Sequence, residues 1–475
     1  MAETRLYPLK EYNPELYDRL TSCPDTALNG FQLIHAESGD VNLVYNNIPL
    51  HSTVNPQAEA MEELNRIKPD ASTIVILMGL GLGYALKRFF ISSKSKIIIY
   101  EPDINILKFT LMAVDYSEEI ASGRVFFANT PAELETILDS TYSYKDKIVF
   151  SCLPSSKQLY NSKLEKTVND LSKIVPNLES NYITLFEYSW KWLMHGISKL
   201  LPIFPEDVIN LNSSLTILEG KFRNKTALIV SAGPSLDKTI EVIRANRDKF
   251  IIFCVNVAYK KLVNAGITPD FAVYLDALDA SKSIADYEHS QTNLILHSAA
   301  NSQAFKTIKP NRFFTFYCKN DLFSRWLADF CGFSIDNYKT KGSVSHLALV
   351  AARNMGCNPI ILTGQDLAFT DGKIYSSGSF WGDIYCFNEK NELDLLPETN
   401  KNLATCKKTE IMRETHYFNV PGQDGNAVLT SPTYAGFIKH FEDFAATNRS
   451  KRLINCSPGG AMIEGVENLE LAELT

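Results

Sequence analysis

The stretch Thr226–Asn256, TALIVSAGPSLDKTIEVIRANRDKFIIFCVN, decides the fold. Ala227–Ser231 is a short apolar strand that runs into Ala232-Gly233-Pro234-Ser235, a turn composition. Leu236, Ile240 and Ile243 then recur at helical spacing behind Ser235, a plausible N-cap. Ile251–Val255 is a second apolar strand and ends on Asn256. Strand, tight loop, helix and strand make a βαβ unit, whose two strands are parallel. In open parallel sheets ligands sit beyond the carboxyl ends of the strands.

Working outward, Phe271–Leu275, Asn293–His297, Phe313–Tyr317 and Pro359–Thr363 read as further strands of the same unit. Their exits carry Asp276, His297 and Gly364-Gln365-Asp366. Asn and Asp favour such positions as turn formers, so one alone says little. Several polar exits on one sheet point to a ligand rim. Lys341-Gly342-Ser343-Val344-Ser345-His346 opens a helix with a buried stripe at Val344, Leu347, Ala351 and Met355. Its first turn would favour an anion, as would the loop before Leu236. That loop has no P-loop lysine, which counts against nucleoside-triphosphate hydrolysis. Asp366 and Asp371 could hold Mg²⁺, act as a base or cap turns.

Upstream, Thr73–Met78 leads into Gly79-Leu80-Gly81-Leu82-Gly83 and a helix, and Lys96–Tyr100 ends on Glu101. Val125–Ala128 and Ile148–Cys152 add strands. The glycine triad is either a nucleotide loop, with Glu101 on ribose hydroxyls, or a turn that packs helix on sheet. The reading is α/β, with two Rossmann-like parallel-sheet domains. Residues 1–60 form a small module with a hairpin at Gly39-Asp40, and 61–155 the first Rossmann-like domain. A helical connector spans 156–215, a second Rossmann-like domain 216–430, and a helical C-terminal region 431–475. Within the second domain, the stretch from about 366 to Val428 reads as irregular.

At 475 residues, 45% hydrophobic and 21% charged, the chain has the composition of a globular protein of several domains. A net charge of −7 argues against a general nucleic-acid binder. No apolar run approaches the length of a spanning helix, and the N-terminus lacks a signal core. The nine scattered cysteines show no zinc spacing. A cytoplasmic protein with no bound metal, no nucleic-acid partner and no membrane partner is expected. The oligomeric state is not readable.

Taken together, ILMGLGLGYAL with IIIYEPD, and SAGPSLD, CVNVAY, KGSVSHLALVAARNMGC and ILTGQDLAFTDG, resemble the motility-associated factor (Maf) glycosyltransferases. The resemblance covers nearly the whole chain. It implies transfer of a nonulosonic, sialic-acid-like sugar, such as pseudaminic or legionaminic acid, from CMP to serine or threonine of flagellin. The central region is similar, more distantly, to bacterial sialyltransferases and to MptE-like domains. The sialyltransferase likeness implies that Gly233, Pro234, Ser235, Asn256 and Asp276 surround the cytidylate, with Gly342 and Ser343 on the donor. Gly364 and Asp366 complete the expected binding set.

In that family two tyrosines hold the leaving phosphate. One falls near Tyr375 and the other on Ala368. The family's asparagine within the first loop is Ala232 here. A general base is sought at His416 or Asp424, with His297 a weaker choice, and an inverting transfer is implied. No cofactor is required, although Mg²⁺ is admissible. Rival readings are a hydroxymethylpterin-type pyrophosphokinase, which needs ATP and Mg²⁺, and a non-catalytic flagellin-binding assembly factor.

Overall fold

The computed structural model describes residues 3–24, 30–143, 146–198, 214–317, 322–331, 343–382, 385–388, 392–395 and 417–475. The chain divides into two compact units, Met1–Tyr182 and Ile183–Thr475. The boundary falls inside a helical segment, Pro154–Ser198, whose backbone leaves helical geometry at Tyr160 (φ −141°, ψ 27°).

The first unit opens with helices Tyr7–Tyr12 and Pro14–Ser22. An antiparallel hairpin follows, β1 (Phe31–His35) with β2 (Val41–Tyr45), and β3 (Ile48–Pro49) pairs back on β2. Helix Pro56–Ile67 is capped by the Asn55 side chain, which accepts the Ala58 N–H. The sheet proper contains β4 (Thr73–Met78), β5 (Lys96–Tyr100), β6 (Val125–Ala128) and β7 (Lys147–Cys152). Their order is β6-β5-β4-β7, all parallel. Every residue of β4 is buried, because both faces of a parallel sheet are covered. Val75 and Leu77 enter one core, whereas Ile74, Ile76 and Met78 enter the other. That is the period-2 alternation of a strand.

The second unit is built on β8 (Ala227–Val230), β9 (Ile251–Val255), β10 (Phe271–Tyr274), β11 (Asn293–His297), β12 (Arg312–Phe316) and β13 (Ile360–Thr363). Short antiparallel pairs lie in the region read as irregular: β14 (Tyr385–Phe387) with β15 (Leu393–Leu395), and β16 (Phe418–Pro421) with β17 (Ala427–Thr430). The C-terminal region is helical over Pro432–Thr447. It then departs from the helical expectation: β18 (Leu453–Asn455) and β19 (Glu467–Asn468) join the main sheet. The sheet order is β12-β11-β10-β9-β8-β13-β18-β19, and every pairing is parallel. Strands this short carry almost no pattern of their own, which is why the sequence hid them.

Again the faces alternate. Ala227 and Ile229 pack in one core, under helices Val344–Asn354 and Pro432–Thr447. Leu228 and Val230 pack in the other, with helices Leu236–Ala245 and Asn256–Asn264. The expected connector is helical through Ser198, and its residues 199–213 lie outside the described residues. No described helix is long and apolar enough to cross a membrane.

Candidate active site

Because the second sheet is parallel throughout, the loops after β8, β9, β10, β11 and β13 leave from one edge. Ser231–Ser235, Asn256, Asp276, His297 and Gly364–Asp366 therefore share that edge. Ser343 joins them by a length argument. Helix Val344–Asn354 ends where Gly220 and Phe222 donate to Asn354 and Met355 carbonyls, just before β8 begins. Eleven helical residues span about 16 Å, roughly the length of these strands. The helix start thus returns to the carboxyl edge. Gly342 and His416 lie outside the described residues.

The chain turns opposite ways from β8 and β13, so the gap between them is the topological switch point of this sheet. It is closed. The buried Asp366 carboxylate accepts the backbone N–H of Ser235 at 2.9 Å and its hydroxyl at 2.7 Å. Ser235 therefore gives no side-chain cap to helix Leu236–Ala245. A Cβ at Gly233 would fall 2.1 Å from Asp366 Oδ2, so only glycine admits this approach. The Gly233 N–H donates to the Gly364 carbonyl, and Ser231 Oγ donates to Gln365 Oε1. The protein's own carboxylate thus takes the place an incoming anion would have at this helix start. Burial raises Asp366 to about 6, against the opposing pull of the two Ser235 hydrogen bonds.

Outward from the switch point, Asn256 Nδ2 donates to Asp276 Oδ2 at 3.3 Å across the exits of β9 and β10. Asn256 is buried at the first position of helix Asn256–Asn264. Segment 375–380 ties this pair to the first loop. The Ser376 N–H donates to the Ala232 carbonyl, and the Phe380 N–H to the Val257 carbonyl. Tyr375 is half-buried on this segment and hydrogen-bonded to Tyr434.

Tyr434 was not singled out from sequence. Burial, and then the neighbouring Tyr375, Asp366 and Tyr417, hold its phenol well above the ordinary value, so it stays protonated. Phe369, Phe387 and Tyr417 ring this group, with centroids 4.6–5.3 Å apart. The one signal for Tyr434 was its place in the first turn of helix Pro432–Thr447, beside the Ser431 cap. Nothing local linked it to Tyr375, 59 positions earlier in the chain.

Other candidates stand differently. Asp424 sits on the exposed turn between β16 and β17, where its carboxyl accepts from the Asn426 N–H and side chain. Those bonds hold it below the usual carboxylate range. His297 is buried and accepts the Ala299 N–H at Nδ1. Ser343 Oγ meets Ser345 Oγ at 2.8 Å. Asp371 is exposed and pairs with Lys238 at 3.3 Å. Among the described residues no three His, Cys, Asp or Glu side chains gather to hold a metal ion.

The glycine triad of the first unit is filled from within. The Leu80 N–H donates to Glu101 Oε2 at 3.0 Å, and the Leu82 N–H to His51 Nε2 at 2.7 Å. At Gly81 (φ +53°) a Cβ would lie 2.3 Å from that His51 nitrogen. Glu101 is 1% exposed, and burial raises it to about 7. It holds the loop and the Asp103 N–H, so the geometry is that of a packing turn.

Residues 50–123 match the family model described as the glycosyltransferase Maf N-terminal domain. Residues 207–372 match the model described as 6-hydroxymethylpterin diphosphokinase MptE-like. An uncharacterized protein from Treponema pallidum (strain Nichols) is 25% identical over 122 residues. That stretch is 25% of this chain and 53% of the relative, so the match spans about half the relative's length. The solved structure of a Maf glycosyltransferase from Magnetospirillum magneticum AMB-1 superposes with a TM-score of 0.56 at 17% identity. The superposition covers 100% of this chain and 75% of that one, a likeness of fold. The Maf N-terminal model thus matches part of the first unit, and the fold of the chain is similar to that of a Maf glycosyltransferase.

Proposed function

We propose that the second unit transfers a nonulosonic sugar from a CMP-activated donor to serine or threonine hydroxyls of flagellin, in the cytoplasm. The observation that carries this reading is the Asn256–Asp276 pair at adjacent strand exits, with the Tyr375–Tyr434 pair close by. An amide and a carboxylate side by side can read the donor and acceptor groups of a pyrimidine nucleoside.

The reaction breaks the bond between the anomeric carbon and the phosphate oxygen of CMP, through an oxocarbenium-like transition state. Negative charge grows on the leaving phosphate. Protonated Tyr434 and Tyr375 would donate hydrogen bonds to it as that charge develops. The amides at the start of helix Val344–Asn354, beside Ser343, would favour the same charge. The acceptor hydroxyl attacks from the opposite face with inversion, and a base takes its proton. Asp424 is a weak base because Asn426 already engages its carboxyl; His416 is the stronger assignment. No metal is required in this scheme, and Mg²⁺ would at most screen the phosphate.

Mass spectrometry of flagellin from cells with and without the gene tests the proposal. Loss of a nonulosonate-sized mass increment is expected, and an unchanged flagellin mass would remove it. The MptE-like match over 207–372 favours one rival, a pterin pyrophosphokinase. Thermal stabilisation by ATP with Mg²⁺, and none by CMP, would select that rival.

A further inference from the structure

A cavity of about 260 Å³ opens in the first unit at the carboxyl ends of β4 and β7. These strands are neighbours, while β5 and β6 lie on the far side of β4. The cavity therefore sits at the topological switch point of this sheet, where open parallel sheets take their ligands. It is a little smaller than pockets for drug-sized molecules, which excludes a dinucleotide and admits a small metabolite.

Its chemistry selects further. Among the described residues that line it there is no lysine or arginine, while Glu59, Glu62 and Glu63 all do. The Leu80 and Leu82 amides of the adjoining glycine loop are committed to Glu101 and His51. A phosphate would meet no lysine or arginine in that lining, and neither of those two amides is open to it. Glu63 is compensated from outside: Arg66 Nε donates to it at 2.8 Å and Ser151 Oγ at 2.5 Å, with Lys157 acting at longer range. Glu59 is held differently. Its Oε2 accepts the Ser52 N–H at 3.1 Å and lies 3.5 Å from His51 Nδ1. His51 Nε2 accepts the Leu82 N–H, so the ring turns Nδ1 toward Glu59. Among the described residues no lysine or arginine pairs with Glu59. Burial acts to raise this carboxyl, yet the His51 and Ser52 hydrogen bonds outweigh it and hold it below the ordinary range. Exposed Glu62 adds a second negative charge at the mouth. Tyr84, Met78 and Leu153 supply apolar and aromatic wall.

We infer that this cavity binds a small organic cation, an amine-bearing metabolite whose ammonium sits against Glu59 and whose apolar body lies along Tyr84 and Met78. Carboxylate and aromatic face together suit an ammonium group. The site is separate from the transfer site of the second unit, and its test does not depend on that reading.

Isothermal titration of the full chain with tyramine, agmatine and putrescine tests the inference, with tyrosol as the neutral counterpart of tyramine. At least one amine should bind at sub-millimolar concentration while tyrosol does not. Glu59→Gln keeps shape and should weaken the amine about tenfold or more. Ala60→Phe, which projects a ring into the cavity, should abolish binding. Should Ala60→Phe fail to fold, Glu59→Gln decides alone. The inference is overturned if no amine binds at millimolar concentration. It is equally overturned if Glu59→Gln binds amines like the parent, or if a folded Ala60→Phe does so. Binding of ATP or CMP that Ala60→Phe abolishes would overturn it too.

Discussion

The Asp366 carboxylate accepts both the backbone N–H and the hydroxyl of Ser235, at 2.9 and 2.7 Å, across 131 positions of sequence. This contact locks the exits of β8 and β13 together and closes the crevice that a parallel sheet leaves at its switch point. The consequence for chemistry is lateral. On the proposed reading a donor phosphate would sit away from the Gly233-Pro234-Ser235 loop, toward Asn256, Asp276 and the tyrosines. In that reading Asp366 would position the loop through Ser235.

Asp366→Ala should cost about 2–4 kcal/mol, because two buried donors lose a charged acceptor at once. Ser235→Ala removes only the hydroxyl bond and should cost about 1–2 kcal/mol. Urea unfolding midpoints give the comparison. A Ser235→Ala protein less stable than Asp366→Ala would contradict the assignment, as would an Asp366→Ala protein as stable as the parent.

The pH dependence of stability follows from the two buried carboxyls. Asp366 is raised to about 6 and Glu101 to about 7, both by burial. In the unfolded chain each returns to about 4. Between those values the folded state holds the extra proton, so the stabilising contribution is complete below about pH 4 and is lost as pH rises through 6 to 7. Depressed carboxylates such as Glu59, Glu63 and Asp237 act in the opposite sense. Their contribution is present above about pH 4.5 and disappears only on acidification below it. Denaturant midpoints should therefore fall between pH 5 and pH 8. Asp366→Asn should flatten the slope for the second unit and Glu101→Gln for the first. A flat or rising parent profile over that window would refute the account.

Asn256 and Asp276 make the most direct test of the nucleotide reading. Each alanine variant should weaken CMP at least tenfold by calorimetry. The double variant should lose less than the two single losses combined, since contacting residues share one interaction. Unchanged CMP affinity in both single variants would leave the pair without a role in binding.

Much of this architecture was legible because parallel strands announce themselves. Thr73–Met78, Lys96–Tyr100 and Ile251–Val255 are short, largely apolar runs followed by Gly79, Glu101 and Asn256, and the observed strands coincide with them. Leu453–Asn455 and Glu467–Asn468 are too short for any periodicity; the first pairs on the edge of β13 and the second on the edge of β18. The site was legible in part. Strand exits could be placed on one edge from topology alone. That Asp366 would close the crevice, or that His51 and Glu101 would fill the glycine loop, depends on contacts 131, 31 and 21 positions apart. Local pattern cannot encode such pairings. The resemblance left its second phosphate-binding tyrosine on Ala368, which is buried and apolar. Tyr434, hydrogen-bonded to Tyr375, supplies a hydroxyl beside it from a different part of the chain.

Whether Tyr434 takes that second place is open to a kinetic test. If Tyr375 and Tyr434 both donate to the leaving phosphate, Tyr434→Phe should lower kcat about ten- to a hundredfold, within the usual effect of losing one preorganised donor. Donor KM should change little, since the bond strengthens as charge develops rather than on binding. Tyr375→Phe should behave alike, and the double variant should fall short of the product of the two, because the hydroxyls are hydrogen-bonded to each other. Phenylalanine at 434 keeps the ring contact with Phe369, and at 375 the packing against the Phe369 and Ile374 cluster, so folding should survive. Asp424→Asn, on its exposed turn, should leave kcat within about twofold. A Tyr434→Phe enzyme with parental kcat, or an Asp424→Asn enzyme that is inactive, would reverse the roles assigned to the two residues.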